Sequence, residues 1–448
     1  MRAFAAPAVP ADDTIRSILA DRIDKYRQSL GIVVGVIEPS GRRIVSYGKL
    51  TEGSARAPNG DTVFEIGSIT KVFTSLVLSD MVEKKELNIL DPVLKFLPAG
   101  TKIPELDGEE ITLHDLATHT SGLPRMPLNV DSADPQNPYA DYTVAKLYEF
   151  LAQYQLQRAI GARFEYSNLG VALLGHALAR HAGTNYEALI QNRINTRLGM
   201  KSTSVALTAA MNERLAPGHA YALEPTPNWD MASLEAAAGL HSSANDLLSF
   251  LAGHLGYTNT TLAPAMKAMT TVRRTVSNRS VALGWFIEKR GDVDVVYHSG
   301  ETGGYSSFIG YDPKARTGVV VLSNSGVGAG IDDIAFHLLS PASPLLAAKA
   351  LTPAKVRKEI ALDPRILDGY VGSYEFPSGQ LAVITRVDGR LHLQGVGDAK
   401  IIFYAENETR FFAKLIDAQM TFTTTPLGRA TGLTYSRSGE NLAVKRLD

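Results

Sequence analysis

Between residues 13 and 30 apolar positions recur at helical spacing, and directly after them GIVVGVIEPSGRRIVSYGKL alternates like a hairpin. Side chains repeat every 3.6 residues on a helix and every two on a strand, so this stretch predicts a helix followed by a hairpin turning at Pro39 to Gly41. From Thr62 to about Leu255 the spacing is mostly helical and is interrupted at Pro and Gly. Near its end, GLHSSANDLLSFLAGH offers Ser243 as a helix cap ahead of an amphipathic run. Strands return after Ala282. The segment from there to Ser325 holds three or four β runs, separated by Arg290 to Asp292, Glu301 to Gly304 and Asp312 to Gly318. That spacing predicts an antiparallel meander. β segments at both ends therefore bracket a helical middle. Pro341, Pro344 and Pro353 punctuate a connecting stretch, and from Gly369 to Asp448 short strands alternate with turns such as PSG, DGR and RSG. This last part is expected to form a separate small β domain. No fixed-period repeat is visible, which argues against a solenoid or propeller.

Composition narrows the function. In 448 residues, 45% are hydrophobic and 20% charged, the balance of a globular protein rather than a disordered one. A formal net charge of −1 without long single-sign runs leaves no electrostatic footprint for nucleic acid, so a small or neutral partner fits better. The absence of cysteine excludes thiolate catalysis, cysteine zinc sites and disulfides. No apolar run approaches the roughly 18 residues that span a bilayer. The opening MRAFAAPAVPADD is Ala-rich, as expected if a signal peptide had been removed and a start codon restored; a simple flexible tail over residues 1–12 would look the same. Export to the periplasm or beyond is the expectation, with a cytoplasmic location the alternative.

The candidate chemistry starts at FEIGSITKVFTSLVLSDMV, where Ser68 stands three residues before Lys71. Spacing alone is weak, since SYGK at Ser46 to Lys49 matches as well. In a strand, residues three apart face opposite ways; in a helix they lie one turn apart on one face. Val72, Leu76 and Val77 place Ser68 at the start of a helix, where the helix dipole favours an alkoxide and a developing oxyanion. An N-cap serine followed by a surface lysine would show the same pattern.

A serine hydroxyl needs a base. Tyr166, Ser167 and Asn168 form a turn before an apolar helix expected to start near Val171. A tyrosine beside an ammonium has its phenolate favoured, so Tyr166 near Lys71 is a candidate acceptor of the Ser68 proton. Asn168 is a candidate donor to a substrate carbonyl that also orients Lys71. YTN at Tyr257 to Asn259 is a decoy in a Thr-rich loop. The third group is YHSGETGGYSSF: His298, Ser299 and Gly300 end a β run, and the glycines suit a ligand backbone passing along a strand edge. KRG at Lys289 to Gly291 has the look of a tight exposed turn instead.

S-x-x-K, Y-S-N and H-S-G in that order resemble the serine β-lactamase and penicillin-binding-protein superfamily, in its class C β-lactamase and serine DD-peptidase branch. The resemblance runs from about Thr14 to Ser340 and includes ITLHDLATHTSGLP and GYDPKARTGVVVLSNS. It implies an α/β (α+β) sandwich, with an antiparallel sheet of N- and C-terminal strands packed on a helical region and the site between them. It also implies Ser68 as acylated nucleophile, Lys71 and Tyr166 as proton-transfer pair, and Asn168, His298, Ser299, Gly300 and Glu301 as substrate-binding residues. The backbone N–H groups of Ser68 and Glu301 would make the oxyanion hole, and no metal or organic cofactor is required. The C-terminal segment resembles lipocalin-like β modules appended to some members, either packing alone or rimming the cleft. Expected boundaries are a catalytic domain over 13–345, a linker over 346–364 and a β domain over 365–448. The expected activity is hydrolysis through an acyl-enzyme, of β-lactams or D-Ala peptides. A carboxylesterase, or a protein that acylates without efficient turnover, is the alternative. Class C β-lactamases usually carry Lys-Thr-Gly where this chain has His298-Ser299-Gly300, which weakens the lactamase reading.

Overall fold

The computed structural model describes residues 9–448 except 131, 133, 135, 221–222, 327–329, 347–356, 396–399, 415–417 and 438–439. Most of the expected linker and the first eight residues of the expected tail therefore lie outside the described residues.

The alternating segment forms strands Gly31–Glu38 and Gly41–Gly48, paired from Gly31 opposite Gly48 to Glu38 opposite Gly41. The first of these lies beside the last strand of the meander, Thr317–Ser323, with Val34 opposite Val321. Chain ends far apart in sequence thus close one antiparallel sheet of eight strands. Its remaining members are Ser306–Asp312, Val293–Glu301, Phe286–Arg290 and two short strands, Arg279–Val281 and Arg274–Val276. The sheet consequently begins before Ala282, earlier than the pattern predicts. Those two strands are three residues long, mostly polar and only partly buried, so they carry no apolar period.

Both faces of the sheet are covered. Ile32, Val34 and Val36 pack with helices Asp12–Ala20 and Asp332–Leu339, whereas Val33 and Ile37 face the helical region. A buried ion pair between Arg22 and Asp333 ties the two outer segments together. In the helical layer, Thr70–Glu83 is enclosed on every side, with Thr70 to Met81 all buried. Burial all round explains why its sequence is apolar without a clear polar face. Ser243 does cap the helix Ala244–His254, accepting the Asp246 N–H.

The C-terminal segment is a closed barrel of eight antiparallel strands running from Gly372 to Arg446, with Tyr374 of the first opposite Arg446 of the last. Its interior is filled with side chains, among them the stacked rings of Tyr370 and Phe422 at 4.2 Å and the buried Phe411. The barrel thus has its own core.

Candidate active site

Three chain segments meet where the helical layer touches the sheet. Val63–Glu65 leads into a short 3-10 turn, Gly67–Ile69, which runs on into helix Thr70–Glu83. Ser68 is half-buried in that turn. Gly67 has φ +48°, and a Cβ there would lie 2.7 Å from the backbone nitrogen of Glu301, so a glycine is what lets the turn press against the end of strand Val293–Glu301. Gly300 is under the same constraint: a Cβ would lie 2.0 Å from the Ile66 carbonyl oxygen. Ser307 on the neighbouring strand donates to that carbonyl at 2.8 Å. The backbone of Glu301 and the start of the serine helix are therefore held side by side.

Lys71 lies one helical turn on and is buried. Its Nζ reaches Ser68 Oγ at 2.9 Å, Asn168 Oδ1 at 2.7 Å and the Ala237 carbonyl at 2.9 Å. Burial, reinforced by the nearby Arg125 guanidinium, holds this amine well below the ordinary lysine range. Asn168 begins helix Asn168–His181, three residues before the start expected near Val171, and Ser167 caps it by accepting the Gly170 N–H. Asn168 presents its carbonyl to Lys71 and its amide to Met126 Sδ.

Tyr166 enters from the same turn, with the Lys71 nitrogen 4.8 Å above its ring. This environment works against the expected phenolate. Burial pushes the hydroxyl up to about 12, against the downward pull of a hydrogen bond to Ser68 and the charges of Arg125 and Arg279. The lysine sits over the ring face rather than at the oxygen, where its charge would act. Burial therefore favours the phenol at Tyr166 and the neutral amine at Lys71.

His298 is likewise further from charged than an ordinary histidine. Burial and the proximity of Lys71 bring it down to about 3, while its Nδ1–H donates to the Ser299 carbonyl at 2.7 Å. Ser299 points along the cleft and donates to Asp332 at 2.6 Å. Burial, with Glu301 and Asp333 nearby, raises that carboxyl to about 6. The Glu301 side chain is exposed.

Four residues at the site went unnoticed in the sequence. His119 stacks on Tyr166 at 4.5 Å and accepts the Ser167 N–H at Nδ1; burial drives its pKa far down, so it is a neutral support for the tyrosine. Its place in ITLHDLATHTSGLP was a usable signal. Arg125, directly after that stretch, lies 5.2 Å over the Tyr166 ring. Arg279 covers Phe286 at 4.1 Å, and Asp332 bonds Ser299; neither carries a local signal. The decoys lie apart: Lys49 pairs with Glu52, and the Tyr257 hydroxyl donates to the Arg316 carbonyl. Among the described residues no group of three or more His, Asp or Glu side chains is placed to hold a metal ion, and no helix is long and apolar enough to cross a membrane.

Residues 19–340 match the Beta-lactamase family, and residues 356–446 match a domain of unknown function, DUF3471. The D-alanyl-D-alanine-carboxypeptidase/endopeptidase AmpH of Escherichia coli (strain K12) is 27% identical over 325 residues, covering 68% of this chain and 83% of its own. Among solved structures, a class C beta lactamase from Rhodobacter sphaeroides superposes with a TM-score of 0.64 at 25% identity, over 73% of this chain and 98% of that one. The octameric penicillin-binding protein homologue from Pyrococcus abyssi gives 0.65 at 24% identity and covers 97% of this chain and 99% of its own, so the fold likeness includes the barrel. With a family match across more than two thirds of its length, and with Ser68, Lys71, Tyr166 and Asn168 gathered at one point, this chain belongs to the Beta-lactamase family.

Proposed function

We propose that the protein is a serine hydrolase that forms an acyl-enzyme at Ser68 on β-lactam or D-Ala-type peptide substrates. The observation that carries this reading is the buried Lys71 amine 2.9 Å from Ser68 Oγ, in surroundings that disfavour its charge. A neutral amine there takes the Ser68 proton as the oxygen attacks the carbonyl carbon. The negative charge gathering on the carbonyl oxygen falls to the N–H groups of Ser68 and Glu301, which the Gly67 and Gly300 contacts hold together. Tyr166, a phenol at this pH, gives its proton to the departing nitrogen or oxygen and regains one from the Lys71 ammonium. Water then attacks the ester by the reverse route. The carboxypeptidase AmpH and the class C lactamase support peptide and lactam substrates for this chain also.

A neutral His298 favours a second reading, a carboxylesterase, because the strand that would hold a substrate carboxylate offers no positive charge of its own. Against this, Arg125 and Arg279 place two cations in the same cleft.

The deciding experiment follows intact mass after a penicillin, beside turnover of a chromogenic lactam, a D-Ala-D-Ala peptide and a p-nitrophenyl ester. The expected result is a penicilloyl adduct on the wild type that is absent in Ser68→Ala, with turnover of the lactam or the peptide. Labelling that persists in Ser68→Ala would overturn the nucleophile. Turnover of the ester alone moves the esterase reading ahead, and an adduct stable for hours identifies a protein that acylates without release.

A further inference from the structure

Two cations beside the catalytic tyrosine are held by rings and not by acids. Arg125 follows directly on ITLHDLATHTSGLP, and Arg279 opens the short strand Arg279–Val281. Both line the cleft that contains Ser68, Tyr166 and His298. The Arg125 guanidinium lies 5.2 Å from the centre of the Tyr166 ring, and that of Arg279 lies 4.1 Å from Phe286 and 5.8 Å from Phe164. Among the described residues neither forms an ion pair with a carboxylate. Glu288, opposite Arg279 in the paired strands, is taken up by Asn278, Tyr297 and Arg290, and the polar neighbour of Arg279 is the Tyr297 phenol. A ring face attracts a cation without neutralising it. Phe286 stands 6.5 Å from Tyr166 and 5.3 Å from His298, so both guanidinium groups border one group of rings. The far end of the third motif has the opposite sign: Ser299 donates to Asp332, and Glu301 ends the strand. A carboxylate laid along that strand would meet acids, and His298 brings no charge to offset them.

Substrate chemistry fixes where a carboxylate falls. In a D-Ala-D-Ala peptide and in a penicillin alike, the carboxylate carbon is two bonds from the nitrogen that departs. On the proposed route that nitrogen takes its proton from the Tyr166 hydroxyl, which brings the carboxylate to the tyrosine's side of the cleft. We propose that Arg125 and Arg279 are the substrate-binding residues that receive this carboxylate, and so select substrates whose leaving group is an α-amino or α-hydroxy acid. A guanidinium is permanently charged and presents a planar fork that matches a carboxylate, so the pair supplies what His298 lacks. The inference deepens the hydrolase reading and rests on it for Tyr166 as the proton donor.

The test measures kcat/KM of the full chain on two pairs of substrates. One pair is an N-acetylated peptide ending in D-Ala-D-Ala and its C-terminal carboxamide; the other is the depsipeptide ending in D-Ala-D-lactate and its carboxamide. Within a pair only the charge beyond the scissile bond differs, so the ratio of acid to amide reports that contact whatever a substitution does to Tyr166 or Lys71. The wild type is expected to prefer the acid about tenfold, the size of one partly exposed charge-assisted contact, and less so at high salt. Arg125→Gln with Arg279→Gln should bring the ratio to about twofold or less. Each substitution alone should remove part of the preference, and Arg279→Lys, which keeps the charge, should retain most of it. Should the double variant not fold by circular dichroism, the single variants decide. A wild-type ratio near one, a ratio that survives the double substitution, or one unaltered in both single variants overturns the assignment, while turnover of the peptides leaves the hydrolase reading in place. Cleavage of the depsipeptides alone, with a ratio that depends on the arginines, sinks the peptide assignment and upholds the arginines. Cleavage of neither pair overturns both.

Discussion

At the scale of single residues, the site is governed by what burial does to each ionisable group. Burial favours a neutral Lys71 and a protonated Tyr166, which on the proposed route divides the labour between an acceptor and a donor. Asp332 shows the same force in a form that stability can report. Its folded pKa of about 6 stands above the ordinary 3.8 of an unfolded aspartate, so folding favours the protonated form. That contribution is fully present below the unfolded value and is lost as pH rises through about 6. Replacing the acid with its neutral isostere removes the titration while keeping an oxygen for Ser299 to donate to. Asp332→Asn is therefore expected to equal the wild type near pH 4 and to exceed it in urea melts at pH 8 by roughly 2 to 3 kcal/mol, since each tenfold change in proton affinity is worth about 1.36 kcal/mol. A constant offset across that range would show that Asp332 titrates normally. Ser68, Lys71, Tyr166 and Asn168 were legible in the sequence because each lies in or beside the first turn of a helix, where local spacing places it. Arg279 and Asp332 stayed hidden because only tertiary packing brings them to Phe286 and Ser299.

Among elements, the decisive contact is between the 3-10 turn before the serine helix and the end of strand Val293–Glu301. No side chain intervenes: Gly67 and Gly300 let two backbones approach closely. Gly67→Ala would place a methyl 2.7 and 2.8 Å from the nitrogen and oxygen of Glu301, backbone atoms with no rotamer to escape into. Its positive φ adds roughly 1 to 2 kcal/mol of strain for an L-residue. The turn and the strand must then separate, and the paired N–H groups of Ser68 and Glu301 lose their common focus. Losing one oxyanion donor costs about 100-fold or more in rate. Gly67→Ala should therefore slow penicillin acylation, followed by intact mass, at least tenfold beyond what its loss of melting temperature accounts for. Equal acylation in a stably folded variant would remove the strand from the oxyanion hole. The hairpin and meander were readable because Gly31–Glu38 and Thr317–Ser323 are short β-branched apolar runs bounded by turn residues, buried on both faces. Their pairing as sheet neighbours was not, since hydrophobic period carries no information about partners at long range.

For the whole molecule, burial separates two cores that share one cleft. Among the described residues, the fully buried members of the sheet and helical-layer clusters run up to Leu339, and those of the barrel cluster run from Leu367 onward. The sequence disclosed the small β domain through its turns; closure of the barrel and its placement over Ser68 depend on which strands and surfaces meet, which no local pattern encodes. Two cores of this independence should melt as two cooperative units, so calorimetry is expected to show two transitions. Phe411 is fully buried in the barrel, and Phe411→Ala should cost about 3 to 5 kcal/mol and lower one transition alone. A penicillin that acylates Ser68 fills only the groove and should raise the other alone. A single transition shifted alike by Phe411→Ala and by penicillin would mean that the barrel and the catalytic layers fold as one body.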